Sequence, residues 1–119
     1  MEADRFPVER LRQEPFIEFL PGQETDNSRM LQQLQIRPKV RFATSDSRAA
    51  IAMVRAGLGI TLLNDILTAD LADGVAVLPL DPPQSVHLGI ALPEEEHVSP
   101  AAKRFITYAL DRLPELDVL

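Results

Sequence analysis

The sequence predicts an α/β fold, a mostly parallel sheet flanked by helices. Short apolar or alternating runs take turns with runs of helical period, in the order β-α-β-α-β-α-β-β-α. Leu58–Leu63 (LGITLL) is apolar almost throughout, the pattern of a strand covered on both faces. Residues able to cap helices stand just before the helical runs, so strand ends and helix starts alternate in a regular way.

The chain opens with Met1–Glu14, where Pro7 limits any helix to a single turn. Phe16–Leu20 alternates and stops at Pro21-Gly22, a strand running into a tight loop. Thr25, Asp26 and Ser28 can each accept from a first-turn amide, and Met30, Leu31 and Leu34 share one face, which predicts a helix from about Asp26 to Gln35. In Lys39–Ala43 (KVRFA), Val40 and Phe42 fall on one face of a second strand. Ser45 or Asp46 caps the next helix, whose alanine-rich interior presents Ala50, Ile51 and Val54 before Gly57 offers a left-handed exit.

After Leu58–Leu63, Asn64 caps a short helix, Asp65–Ala72, closed by Gly74. Val75–Leu80 and Val86–Leu92 are two further strand candidates, separated by Asp81-Pro82-Pro83, which cannot lie inside a central ladder. Ser99-Pro100 starts the last helix with a hydroxyl at the cap and proline in the first turn. Its apolar face is Ala102, Phe105, Ile106, Ala109, Leu110 and Leu113.

Composition narrows the functions available. With 119 residues, 45% of them apolar, the chain suits one compact core. Net charge is −6 and the cations lie scattered, which disfavours a phosphate-tracking surface on this chain. There is no cysteine, hence no disulfide, thiolate ligand or thiol nucleophile. No apolar run approaches the roughly 20 residues of a membrane span, and Met1–Arg12 is too charged for a signal peptide. These features lead us to expect a cytoplasmic protein with no membrane partner.

Catalysis has no visible starting point. None of Ser28, Ser45, Ser47, Ser85 and Ser99 sits in a Gly-x-Ser-x-Gly elbow. His87 and His97 are the only imidazoles, and no His-x-x-x-His spacing brings two of them together as metal ligands. Gly57-Leu58-Gly59 leaves a helix and enters a strand, the reverse of a phosphate-binding turn, so we read it as a helix exit followed by a close backbone approach. Glu94-Glu95-Glu96 reads as a solvated loop. No enzyme activity, cofactor or metal is expected.

Three stretches in fixed order carry a family resemblance: Glu14-Pro15-Phe16-Ile17; Val54-Arg55-Ala56-Gly57-Leu58-Gly59-Ile60 with Leu62-Leu63; and Val98-Ser99-Pro100-Ala101-Ala102-Lys103-Arg104-Phe105. The chain resembles the effector-binding domain of LysR-type transcriptional regulators from about Val8 to Leu113. Asn64 stands where the family usually has proline, and Ala43 where an acidic residue is common.

The resemblance implies one lobe of a type 2 periplasmic-binding-protein-like domain, with a small-molecule effector held between two lobes. Residues 1–119 would be the second lobe, with a return segment over about 86–119. The DNA-binding head and most of the first lobe would lie outside this chain, so DNA contact would come only through that head. Two loops that pass from a strand end into a capped helix are the candidate effector site: Leu20, Pro21, Gly22 and Gln23, and Thr44 with Ser45. Free helix amides there favour an anionic effector. Phe105, Ile106, Ala109, Leu110 and Leu113 are the candidate packing surface for a homodimer or a second lobe. The competing readings are a lobe of a solute-binding protein or of an enzyme of this architecture, and a self-association module.

Overall fold

The computed structural model describes residues 4–68, 73–86 and 89–113. The chain divides into two compact units, Met1–Val86 and His87–Leu119.

In the first unit, β1 is Phe6–Pro7, followed by a 3₁₀ helix over Val8–Arg12 and by β2, Pro15–Phe19. Then come α1, Asp26–Gln33; β3, Lys39–Thr44; α2, Ser47–Arg55; α3, Asp65–Thr68; and β4, Leu80–Asp81. Among the described residues all the strand pairing is parallel, β2 with β3 and β1 with β4. A third segment joins β2 on its other side through Ile60, whose carbonyl accepts from Ile17 N at 2.8 Å and whose amide donates to Pro15 O at 2.9 Å. Thr61 Oγ1 adds a 2.7 Å bond to Ile17 O.

β2 is therefore the central strand, and it is the most buried. Phe16 joins Val8, Leu11, Leu31 and Ile36 in one core cluster, which puts the 3₁₀ helix and α1 on that face. Strand alternation turns Ile17 to the opposite face, where it is 0% exposed. α2 contacts β2 and β3, and its Ala50 and Ile51 are buried as well.

Both longer helices end by the same device with different residues. After α1, Gln35 takes a left-handed φ of 58°, Ile36 N donates to Leu31 O at 2.9 Å and Gln35 N to Gln32 O at 3.1 Å. After α2, Gly57 takes φ 82°, Leu58 N reaches Met53 O at 3.0 Å and Gly57 N reaches Val54 O at 2.9 Å. Each is a Schellman turn. At α1 it is reinforced by burial of both Leu31 and Ile36.

The structure corrects several expectations. α1 stops at Gln33 rather than Gln35, because the left-handed Gln35 belongs to the turn. Leu58–Leu63 pairs only at Ile60, and Leu58, 42% exposed, is not covered on both faces. Of Val75–Leu80 only Leu80 enters a ladder, and Val77 and Leu78 are exposed. Pro79, without an amide to donate, contributes its carbonyl alone, to Phe6 N at 2.8 Å. The ladder between β2 and β3 steps from Phe16↔Val40 to Ile17↔Phe42, so Arg41 is an extra residue that interrupts the expected alternation. Val40 and Phe42 are 43% and 41% exposed on this edge strand. The expected helix Asp65–Ala72 is described through Thr68, and its last four positions lie outside the described residues. In Val86–Leu92, positions 87 and 88 also lie outside them, and the flanking described positions join no strand.

In the second unit, a short 3₁₀ helix, Glu95–His97, precedes α4, Pro100–Arg112. Ser99 caps α4 by accepting from Ala102 N at 3.1 Å, with Pro100 in its first turn.

Candidate functional site

Parallel pairing of β2 with β3 sets the geometry of the site, because both strands finish at the same end of the sheet. Phe19 stands opposite Thr44, and one bond further on Leu20 N donates to Thr44 O at 2.9 Å. The loops Leu20–Gln23 and Thr44–Asp46 therefore leave the sheet side by side. Leu20 has a left-handed φ of 57°, unusual for a branched residue, and Gln23 N closes the turn on Leu20 O at 3.3 Å. Gly22, at φ 77°, supplies the second left-handed step.

Each loop then enters a helix that caps itself. Thr25 Oγ1 accepts from Ser28 N at 3.0 Å while Ser28 Oγ accepts from Thr25 N at 2.8 Å, a reciprocal capping box. Asp46 Oδ1 accepts from Arg48 N at 2.9 Å, and Thr44 Oγ1 accepts from Asp46 N at 3.1 Å. Of the two residues expected to cap α2, it is Asp46 that does so. Ser45 is exposed between them.

An open groove of about 630 Å³ lies along α1 in this same unit. Its floor includes the core residues Phe16, Leu31 and Ile36, and its rim includes Leu20, Gln23, Leu62 and Leu67. Asn27 Nδ2 ties the two walls together through a 3.1 Å bond to Leu62 O. Leu20 and Gln23 line the groove, whereas Pro21, Gly22, Thr44 and Ser45 do not. Reading the sequence missed Glu18, Asn27, Asn64 and Leu67, which also line it. Glu18 was legible, since it follows Phe16 by two residues and so shares its face; the others depend on how separate segments meet.

Elsewhere, α4 leaves Phe105, Tyr108 and Leu110 at 58%, 61% and 62% exposure, with Leu113 exposed too. Ile106 and Ala109 are half-buried. Glu94, Glu96 and His97, in a stretch expected to be only a solvated loop, offer ligand atoms within 4.8 Å of one another, with Glu94 and His97 at Glu-x-x-His spacing, although all three are exposed. Among the described residues no buried side-chain polar atom lacks a hydrogen bond, and no helix is long and apolar enough to cross a membrane.

Parallel strands joined by helices give an α/β fold of the type 2 periplasmic-binding-protein-like class. The family model of the LysR substrate binding domain matches residues 2–114, and the chain belongs to that family. The family is regulatory rather than enzymatic, and its domain binds effectors in transcription regulation. A search of curated proteins finds no match.

Proposed function

We propose that this chain is the second lobe of a two-lobed LysR-type sensor, and that a small-molecule effector is held at the carboxyl ends of β2 and β3. The observation that carries this reading is the 2.9 Å bond from Leu20 N to Thr44 O, which gathers two strand-to-helix loops at one end of the sheet, with the groove beginning at Leu20 and Gln23. Closure of a second lobe on the bound effector would bias the orientation of a dimeric DNA-binding head, because a ligand shifts an equilibrium by its differential affinity for the two states. The lobe itself performs no reaction. Its exposed apolar side chains on α4, Phe105 and Leu110 above all, favour contact with a second copy.

The test is amide chemical-shift mapping of the chain against a panel of small metabolites. Saturable changes concentrated at Leu20–Gln23 and Thr44–Asp46 support the assignment. Changes confined to Glu94–His97 or to α4, with those two loops silent, refute it.

A further inference from the structure

The groove along α1 carries five ionisable side chains, and they are not evenly matched. Arg29 is already engaged, 3.4 Å from Glu24 Oε1 and 3.5 Å from Asp26 Oδ1. Arg37 likewise has no hydrogen-bond or ion-pair partner among the described residues, but it is exposed and precedes β3, at the opposite end of that strand from Thr44. Glu18 is half-buried on β2, two residues beyond the buried Phe16 and on its face. Among the described residues Glu18 has neither a hydrogen-bond nor an ion-pair partner. The groove therefore presents an unpaired carboxylate beside the apolar floor residues Phe16 and Leu31 and the rim residue Leu62.

The same geometry argues against the anionic effector expected from the sequence. The amide of Ser28 is taken by Thr25 and that of Arg48 by Asp46. A ligand carboxylate approaching these helix starts would also meet Asp26 and Asp46, which occupy the favourable position near the positive end of each helix.

Building on the effector-site reading above, we infer that the groove takes an amphipathic cation, an ammonium or amidinium group on a hydrocarbon or aromatic body. The cationic group pairs with Glu18, and the body lies over Phe16, Leu31 and Leu62. Both halves are needed, since a half-exposed ion pair alone binds weakly. The net charge of −6 further favours the approach of cations.

The experiment compares hexylammonium, hexanoate and hexanol as probes of the whole chain, by amide shift mapping, with the Glu18→Gln variant alongside. Hexylammonium should perturb Phe16–Gln23 saturably and bind about tenfold more tightly than hexanol, the scale of a hydrogen bond to a charged group. Glu18→Gln should abolish that preference while leaving the melting temperature unchanged. Added salt should weaken hexylammonium binding in the unaltered chain, a check that requires no variant. Hexanoate binding at the same amides as tightly as hexylammonium would overturn the cationic assignment and leave the effector-site reading standing. Hexylammonium affinity indifferent to both Glu18→Gln and salt would do likewise. Silence of Phe16–Gln23 towards all three probes would remove the groove as a site and the cation with it.

Discussion

Gly59 passes so close to Pro15 that a Cβ on it would stand 2.5 Å from the Pro15 carbonyl oxygen and 3.0 Å from the carbonyl carbon. That same oxygen accepts the 2.9 Å bond from Ile60 N that ties the third segment to β2. Gly59→Ala must push two main chains apart and strain that bond, and overpacking of this kind costs about 1–3 kcal/mol. Gly22 is the contrasting case, since a Cβ there meets nothing within 4 Å but the φ of 77° remains; Gly22→Ala should cost about 1 kcal/mol from the left-handed conformation alone. Urea unfolding of both variants measures the difference. A Gly59→Ala chain as stable as the original would contradict the close packing.

Ile17 is fully buried on the central strand, so its removal leaves a cavity that neither face can readily fill. Ile17→Ala should destabilise the chain by about 2–5 kcal/mol. Val40→Ala, on the exposed edge strand, should cost far less. Thermal melts of the two variants, compared side by side, test whether β2 is the centre of the sheet.

Asp46 is the sole side-chain cap of α2, and Thr44 in turn holds the Asp46 amide. Asp46→Ala should cost about 0.5–2 kcal/mol, whereas Asp46→Asn should retain most of the stability. Hydrogen exchange in the first turn of α2 should quicken in the alanine variant and stay slow in the asparagine one.

The Arg12 guanidinium, hydrogen-bonded to Glu9 at 2.8 Å, holds the Glu9 carboxyl below its usual range. A depressed folded-state pKa contributes stability that is present above the unfolded-state value and is lost as pH falls through the folded one. Both side chains are exposed, so the effect on melting should be small. An NMR titration should find the Glu9 midpoint below that of an unpaired glutamate, and Arg12→Gln should raise it. An unchanged midpoint in that variant would show that the pair does not persist in solution.

Burying a Phe or Leu side chain is worth about 1.5–3 kcal/mol, which makes the exposed Phe105 and Leu110 of α4 a strong inducement to associate. Light scattering over a dilution series should detect a dimer. Phe105→Asp with Leu110→Asp should shift it towards monomer, and changes at Lys103, Thr107 and Asp111 should do little. A strict monomer at high concentration would dismiss the dimer.

The candidate site was legible in part. Leu20 and Gln23 could be found because Pro21-Gly22 marks where a strand ends, and that signal is local. Asp46 as cap, rather than Ser45, could not be decided from two adjacent residues of similar cap preference. The groove wall at Leu62–Leu67 was invisible, because it exists only where that segment meets α1 through Asn27.

By itself the sequence determined the succession of β2, α1, β3, α2 and α4, the Gly57 helix exit, the Ser99-Pro100 helix start and the family. Each of these rests on backbone sterics or on contacts within a few residues. Only the tertiary structure decided that β2 is central and β3 an edge, that Arg41 interrupts the ladder, and that Leu58 stays exposed despite its apolar neighbours. Apolar runs state what would gain from burial, but which strand receives neighbours on both sides depends on pairings between distant residues. Phe16 and Ile17 gained such neighbours and form the core. Val40 and Phe42, no less apolar in pattern, gained them on one side only.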